Sequence, residues 1–361
     1  MTAHFAQLSR YDLVAGALQL ALATGALGLA GVYLAKRSGN RSSNVFFALL
    51  LAAFALSIGT LVLEHFGLTM RYPRLRYAPL WLTWTIGPAW FYYVKFSLFP
   101  AYRFRVTDLK HFVAPVAQLL AYATAFAGLW QVRDAGPVAG LRLSTVEEAV
   151  FLLSVGGYLF GAYRYLRFRA REIGARPLRS DYWKVKLLRR SQRVLFVLLT
   201  FNFAFVFFNF YSVATTGLGL LHLRGFYASS SLSFGLILVY LIRGVAYRQH
   251  FYPLVPPEVL ARVSAHPAER LRHLLVDGGA YRDPDLHEVR VARAVGVRPS
   301  ALDALAREGS AVGGWLRWVR DLRFGEVTRL RRGGHSLRVA ALEAGFASRR
   351  AAVRAFRRRG R

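Results

Sequence analysis

The chain ends in the segment Ser348-Arg-Arg-Ala-Ala-Val-Arg-Ala-Phe-Arg-Arg-Arg-Gly-Arg361, which closes a region covering residues 267–361. In this region short apolar stripes at helical spacing alternate with capping residues and glycines. Residues 1–245 consist instead mostly of long apolar runs. The contrast predicts an all-α chain of two domains, joined by a proline-containing linker at residues 246–266 that cannot form a long helix.

The charge of the chain is as uneven as its hydrophobicity. The formal net charge of the 361 residues is +30, although 55% of the residues are hydrophobic. From Ala246 onward there are 23 arginines, no lysines and 11 acidic residues. Such a balance favours partners that carry phosphate, either nucleic acid or anionic lipid. The absence of cysteine excludes disulfides, thiolate zinc sites and cysteine nucleophiles.

Residues 285–308 have the pattern of two short helices joined by a tight turn. Asp285, with Glu288 three residues later, predicts a capping box at the start of the first helix. Gly296 is placed to end that helix, and Pro299 suits the first position of the next one. Two short helices separated by a turn of three to four residues are typical of a helix-turn-helix unit.

The same pattern returns about fifty residues later, after a longer amphipathic helix predicted at residues 311–331. Gly333 and Gly334 are expected to end the longer helix, which has one apolar face for packing on both units. Ser336 and Ser348 are the predicted caps of the two helices that follow, with Gly345 between them. The predicted buried face of this second unit consists of Ala340, Ala344, Val353 and Phe356.

These residues resemble the AraC/XylS-type family of bacterial transcription regulators over about residues 267–356. The first unit contains the motif Ala292-x-x-x-Gly296-Val297-x-Pro299-Ser300-x-Leu302-x-x-Leu305. The connecting helix contains Trp315-x-x-Trp318-Val319-x-x-x-Arg323-Phe324, and the second unit contains Gly345-Phe346-x-Ser348 followed by Arg354-x-Phe356-Arg357. Arg298 departs from the family pattern, which has a small capping residue there, and so do Ala351 and Ala352, which replace aromatic residues.

The resemblance implies a C-terminal double helix-turn-helix domain at residues 267–361 that binds double-stranded DNA and controls transcription. RNA polymerase and a second copy of the chain, as a homodimer, are further candidate partners. A recognition helix presents exposed side chains to base edges in the major groove. The predicted DNA-binding residues are Arg298, Ser300, Ala301, Asp303, Ala304, Arg307, Ser348, Arg349, Arg350, Arg354, Arg357 and Arg358.

The N-terminal 245 residues predict a seven-helix transmembrane bundle, since a spanning helix needs about 20 mostly apolar residues. The segment between the fifth and sixth runs has 11 lysines and arginines against only Glu172 and Asp181. The excess places this segment, and with it the C-terminal domain, on the cytoplasmic side of a bacterial inner membrane. The predicted spans are residues 13–35, 45–63, 78–94, 112–132, 149–163, 194–223 and 225–242.

Two functions of different classes are compatible with these features. The first is a membrane-anchored regulator that senses a small-molecule ligand through its membrane domain. The second is a membrane receptor or transporter whose basic tail docks on anionic lipid, at roughly 1 kcal/mol per cation. Because the nine histidines have no metal-ligand spacing and no catalytic motif is present, we expect no enzyme activity, metal or cofactor. The paired caps and glycines favour the regulator, because docking on lipid does not require them.

Overall fold

The computed structural model describes residues 10–36, 40–99, 102, 104–128, 137–174, 180–216, 235–242, 255–310 and 313–359. Throughout this part of the chain the backbone forms helices and turns, without a β-strand. The all-α expectation is therefore confirmed.

The N-terminal helices are α1 (Arg10–Ala35), α2 (Arg41–His65), α3 (Leu68–Arg71), α4 (Thr83–Leu98), α5 (Val113–Phe126), α6 (Pro137–Ile173) and α7 (Ser180–Thr216). Five of them pack in chain order around one core. α1 lies on α2, α2 on α4, α4 on α6, and α6 on α7. Phe47, Leu51, Ile58 and Trp90 are almost completely buried between them.

A buried polar contact fixes three of these helices against one another. The Trp90 indole Nε1 in α4 donates to Gln192 Oε1 in α7 at 2.6 Å. Gln192 Nε2 in turn donates to the Leu159 carbonyl of α6 at 2.9 Å. Because these buried groups satisfy one another, the contact favours a single arrangement of the three helices.

Three of the described helices are long and apolar enough to cross a membrane, with windows at Gly16–Ala35, Arg41–Leu63 and Ala149–Glu172. They correspond to the first, second and fifth predicted spans. The helices at the third and fourth predicted spans, α4 and α5, have only 16 and 14 residues. α7 contains residues 194–216 of the sixth, and residues 235–242 of the seventh are helical, while the remainder of both lies outside the described residues.

The N-terminal helices also expose large apolar side chains. α1 exposes Val14 and Leu18, and α5 exposes Val113, Val116 and Leu120, each by more than half of its area. On α7 the exposed apolar side chains are Phe196, Val197, Phe201, Phe203, Phe207, Phe208 and Tyr211. Extended apolar surface of this kind is typical of helices that contact lipid or another protein.

The C-terminal part contains two smaller cores connected by one helix. Val255 and Leu260 are fully buried in the first core, so the folded unit includes residues that the sequence assigned to the linker. The second core is built around Phe324 and Ala341. The helices are α8 (Pro257–Ala261), α9 (Pro267–Arg272), α10 (Glu288–Val295), α11 (Leu302–Gly309), α12 (Trp315–Arg332), α13 (Leu337–Glu343) and α14 (Arg349–Arg359).

The predicted capping box at Asp285 is wrong. α10 begins at Glu288 after His287, whose side chain makes no capping bond. The reason is a turn in which the Leu286 N–H donates to the Asp283 carbonyl at 3.1 Å. The Asp285 N–H also donates to Asp283 Oδ1 at 3.0 Å, so Asp283 organises this turn.

Candidate nucleic-acid interface

The first candidate unit comprises α10, a glycine turn and α11. Gly296 has φ 81°, and its N–H closes the end of α10 by donating to the Ala292 carbonyl at 2.8 Å. Pro299 then opens a single 3-10 turn that leads into α11. The predicted roles of Gly296 and Pro299 are confirmed, because both depend on local backbone conformation.

The six predicted DNA-binding residues of this unit lie on α11 and on the turn that precedes it. Leu302 and Ala306 bury one face of the helix completely. The opposite face is open to solvent, which leaves the predicted side chains accessible except for Ala301, which is half-buried. The exposed ones are Arg298, Ser300, Asp303, Ala304 and Arg307.

The Asp303 carboxylate has a structural partner that the sequence did not predict. Its Oδ1 accepts the Trp315 N–H at 3.0 Å, the first amide of α12. The first four N–H groups of a helix have no partner within the helix, so Asp303 caps α12 from another element. The two residues are 12 positions apart in the sequence, so no pattern of local spacing predicts this contact.

We expect Asp303→Ala to destabilise the C-terminal unit by about 1 kcal/mol, the usual effect of removing a helix cap. Asp303→Asn retains an amide oxygen as acceptor and should recover most of that loss. Thermal unfolding of the purified chain, followed by tryptophan fluorescence, measures both variants. Equal stability of the alanine variant and the unmodified chain would contradict the capping role.

The second candidate unit repeats the arrangement with α13 and α14. Ser336 Oγ accepts the Val339 N–H at 3.4 Å, and Ser348 Oγ accepts the Ala351 N–H at 3.1 Å. Gly345 lies between the helices with φ 89°. Both predicted serine caps and the glycine turn are confirmed.

Four arginines of α14 point away from its core. Ser348 and its neighbours Arg349, Arg350, Arg354 and Arg357 are exposed. In the described part of the chain no carboxylate lies at ion-pairing distance from any of these four arginines. The side chain of Arg358, also predicted to bind DNA, lies outside the described residues.

The buried face of α14 differs from the predicted one. Ala352 is fully buried, whereas Val353 is half-buried and Phe356 is 37% exposed. The Phe356 ring still contacts Phe324 of α12, with centroids 4.5 Å apart. The small Ala352 side chain allows α14 to approach its core closely, which moves the larger residues to the edge.

α12 connects the two units and contributes to both cores, as predicted. Trp315, Trp318 and Val319 belong to the first core, while Phe324 and Val327 belong to the second. The helix therefore restricts the movement of the two units relative to each other.

Two further arginines, Arg282 and Arg329, form ion pairs with the same carboxylate, Glu326. Glu326 Oε1 lies 3.0 Å from Arg282 Nη2 and 2.8 Å from Arg329 Nη2. The hydrogen bond from Arg329 lowers the pKa of the Glu326 carboxyl, and the charge of Arg282 adds to the effect. The carboxylate therefore stays ionised and compensates part of the arginine charge near the start of the second unit.

The C-terminal unit contacts the N-terminal bundle through Asp283 and Asp285. Lys184 Nζ of α7 lies 3.7 Å from Asp283 Oδ1, and Arg290 Nη1 of α10 lies 3.4 Å from Asp283 Oδ2. Lys36, just after α1, lies 3.6 Å from Asp285. Burial alone would raise the pKa of the Asp283 carboxyl, but Lys184 and Arg290 outweigh it and lower the pKa to about 2.

Comparison with protein-family models, with curated proteins and with solved structures finds no match for this chain.

Proposed function

We propose that the chain is a membrane-anchored, sequence-specific DNA-binding transcription regulator of AraC/XylS type. The observation that carries the proposal is the repeated unit: a helix, a glycine turn and a second helix with an exposed polar face, present twice on one connector. The exposed residues of α11 and α14 are the proposed base and phosphate contacts.

The length of α12 fits this use. Its 18 residues correspond to about 27 Å at the usual helical rise. Successive major grooves on one face of B-DNA are about 34 Å apart. Two units near the ends of such a connector therefore suit neighbouring grooves of one duplex without a second subunit.

We further propose that residues 1–245 form a seven-span bundle in a bacterial inner membrane, with the C-terminal unit in the cytoplasm. Support comes from the three long apolar helices and from the exposed apolar side chains of α5 and α7. The excess of lysine and arginine around the start of α7 favours the cytoplasmic side for that end of the bundle.

The test is binding of duplex DNA by the full chain in nanodiscs of zwitterionic lipid. We expect affinity to fall linearly on a log–log plot against salt, because arginines that neutralise phosphates release counterions. Arg350→Gln with Arg354→Gln should reduce the slope by about 2 and weaken binding about 10- to 100-fold near 0.1 M salt. Fluorescence anisotropy of a labelled duplex measures both quantities.

Arg262→Gln with Arg272→Gln is the matched control, since both arginines are exposed but lie away from α11 and α14, Arg262 directly after α8 and Arg272 at the end of α9. This control should lose little affinity. If the chain binds no duplex, or if both double variants weaken binding equally, the DNA-binding proposal fails. Retention on anionic but not zwitterionic vesicles, without DNA binding, would instead support the lipid-docking receptor or transporter.

A further inference from the structure

A cavity of about 1150 Å³ lies where α7 meets the C-terminal unit. One wall is a continuous face of α7 that includes Lys186, Arg190, Val194 and Val197. The opposite wall comes from the C-terminal unit and includes Asp283 to Asp285 and Arg293. Small-molecule sites usually occupy about 300–1,000 Å³, so this cavity is large enough for a ligand with a long chain.

The cavity carries an excess of positive charge. Six lysines and arginines line it against three carboxylates, Glu258, Asp283 and Asp285. Asp283 is paired with Lys184 and Arg290. Arg190 and Arg193 on α7 are exposed, and within the described chain no carboxylate lies at ion-pairing distance from either of them.

The character of the α7 wall changes abruptly after Arg193. Val194, Val197 and Leu198 continue the same face and also line the cavity, and residues 194–216 contain no charged side chain. Arg190 and Val197 are seven residues apart, about 10 Å along the helix. The cavity therefore presents cations at one end and an apolar track at the other.

We propose that this cavity binds an anionic amphiphile, a molecule with a phosphate or carboxylate headgroup and an acyl chain. Arg190 and Arg193 hold the headgroup with charge-assisted hydrogen bonds. The acyl chain lies along Val194, Val197 and Leu198. Basic pockets beside membrane helices are suited to anionic lipid headgroups for this reason.

The occupant contacts both parts of the chain, because the C-terminal unit supplies the second wall. Binding therefore shifts the equilibrium between the C-terminal unit docked on α7 and the undocked unit. The size of the shift is set by the difference in ligand affinity between the two states. This regulatory consequence rests on the proposed function, whereas the binding itself does not.

The experiment uses the full chain in a neutral detergent and phospholipids with brominated acyl chains, which quench nearby tryptophan. Trp183 lines the cavity, and Trp183→Phe identifies its share of the signal. We expect saturable quenching by brominated phosphatidylglycerol and little by phosphatidylcholine with the same chains. Glycerol phosphate should not compete, because it lacks the chain; competition by palmitate would identify a free fatty acid as a second source of the ligand.

Arg190→Gln with Arg193→Gln should weaken phosphatidylglycerol binding about tenfold or more, because two charge-assisted contacts are lost. Arg190→Lys with Arg193→Lys retains the charges and should bind within a few-fold of the unmodified chain. The matched control is Arg164→Gln with Arg189→Gln, which removes two exposed arginines that do not line the cavity.

Equal affinity of the glutamine variant and the control, or equal quenching by the two phospholipids, would overturn the proposal. Duplex binding is measured on the same preparations. Loss of selective lipid binding with DNA binding intact would reject only this site, and the reverse result would reject only the DNA-binding function.

Discussion

Gly345→Ala is expected to destabilise the second unit by about 2–5 kcal/mol. Gly345 has φ 89°, a conformation that L side chains adopt at a cost of about 1–2 kcal/mol. A Cβ there would lie 2.6 Å from the Tyr281 carbonyl oxygen and 2.7 Å from the Arg282 carbonyl. Neither backbone group can move aside as a flexible side chain does, so overpacking adds about 1–3 kcal/mol.

The effect should extend to nucleic-acid binding. The backbone that Gly345 approaches also accepts the Arg323 guanidinium: Nε donates to the Tyr281 carbonyl at 2.7 Å, and Nη2 donates to the Asp283 carbonyl at 2.8 Å. Displacing this backbone segment therefore disturbs α12, which is held to it by Arg323. It also disturbs the turn between α13 and α14, which contains Gly345. We expect loss of most specific DNA binding together with the loss of stability.

Gly325→Ala is the matched control. Gly325 is exposed within α12, and a Cβ there would have no atom within 4 Å. Alanine at a helical position of this kind should stabilise the unit by about 0.5–1 kcal/mol. Urea unfolding of the two purified variants, followed by circular dichroism, measures the difference. Similar midpoints for the two variants would show that the close approach of Gly345 to Tyr281 does not hold in solution.

The features that depend on neighbouring residues were predictable from the sequence. Gly296 and Gly345 adopt positive φ, and Ser336 and Ser348 cap their helices, because each of these effects acts within one turn. The apolar face of α12 follows from the 3–4 spacing of its side chains.

Features that depend on tertiary contacts were not predictable in the same way. Asp285 has the local pattern of a helix cap, but the Asp283 turn takes its place. The contacts from Asp303 to Trp315 and from Lys184 to Asp283 join residues that no periodicity relates. Apolar runs likewise predicted spans at residues 78–94 and 112–132, whereas the described helices there, α4 and α5, begin at Thr83 and Val113 and have 16 and 14 residues.

Asp283→Asn is the second change with a large expected effect. The Asp283 side chain is only 3% exposed and pairs with Lys184 and Arg290, which come from the two parts of the chain. Removing one member of a buried ion pair leaves the partners uncompensated and typically costs about 3–5 kcal/mol. We expect the C-terminal unit to lose stability and to detach from α7, with faster amide hydrogen exchange in α10.

Asp285→Asn is the control, because Asp285 is half-buried and, among the described residues, pairs only with Lys36, at 3.6 Å. Exposed or partly exposed pairs contribute at most about 1 kcal/mol. Asp283→Asn leaves the charge of Lys184 without its partner. Adding Lys184→Gln removes that charge, so the double variant should recover part of the stability lost in Asp283→Asn. Additive losses in the double variant would contradict a direct interaction between Lys184 and Asp283.

Because of the same ion pairs, the stability of the folded chain depends on pH. The pKa of the Asp283 carboxyl is lowered from its usual 3.8 to about 2 by Lys184 and Arg290, against the opposing effect of burial. A carboxyl with a depressed folded-state pKa stabilises the fold above its unfolded pKa and loses that contribution as pH falls through the folded value. The unmodified chain should therefore lose about 2 kcal/mol between pH 4 and pH 2 through this group. Asp283→Asn should lack that component, and identical acid unfolding profiles for the two proteins would show that Asp283 is not ionised in the folded chain.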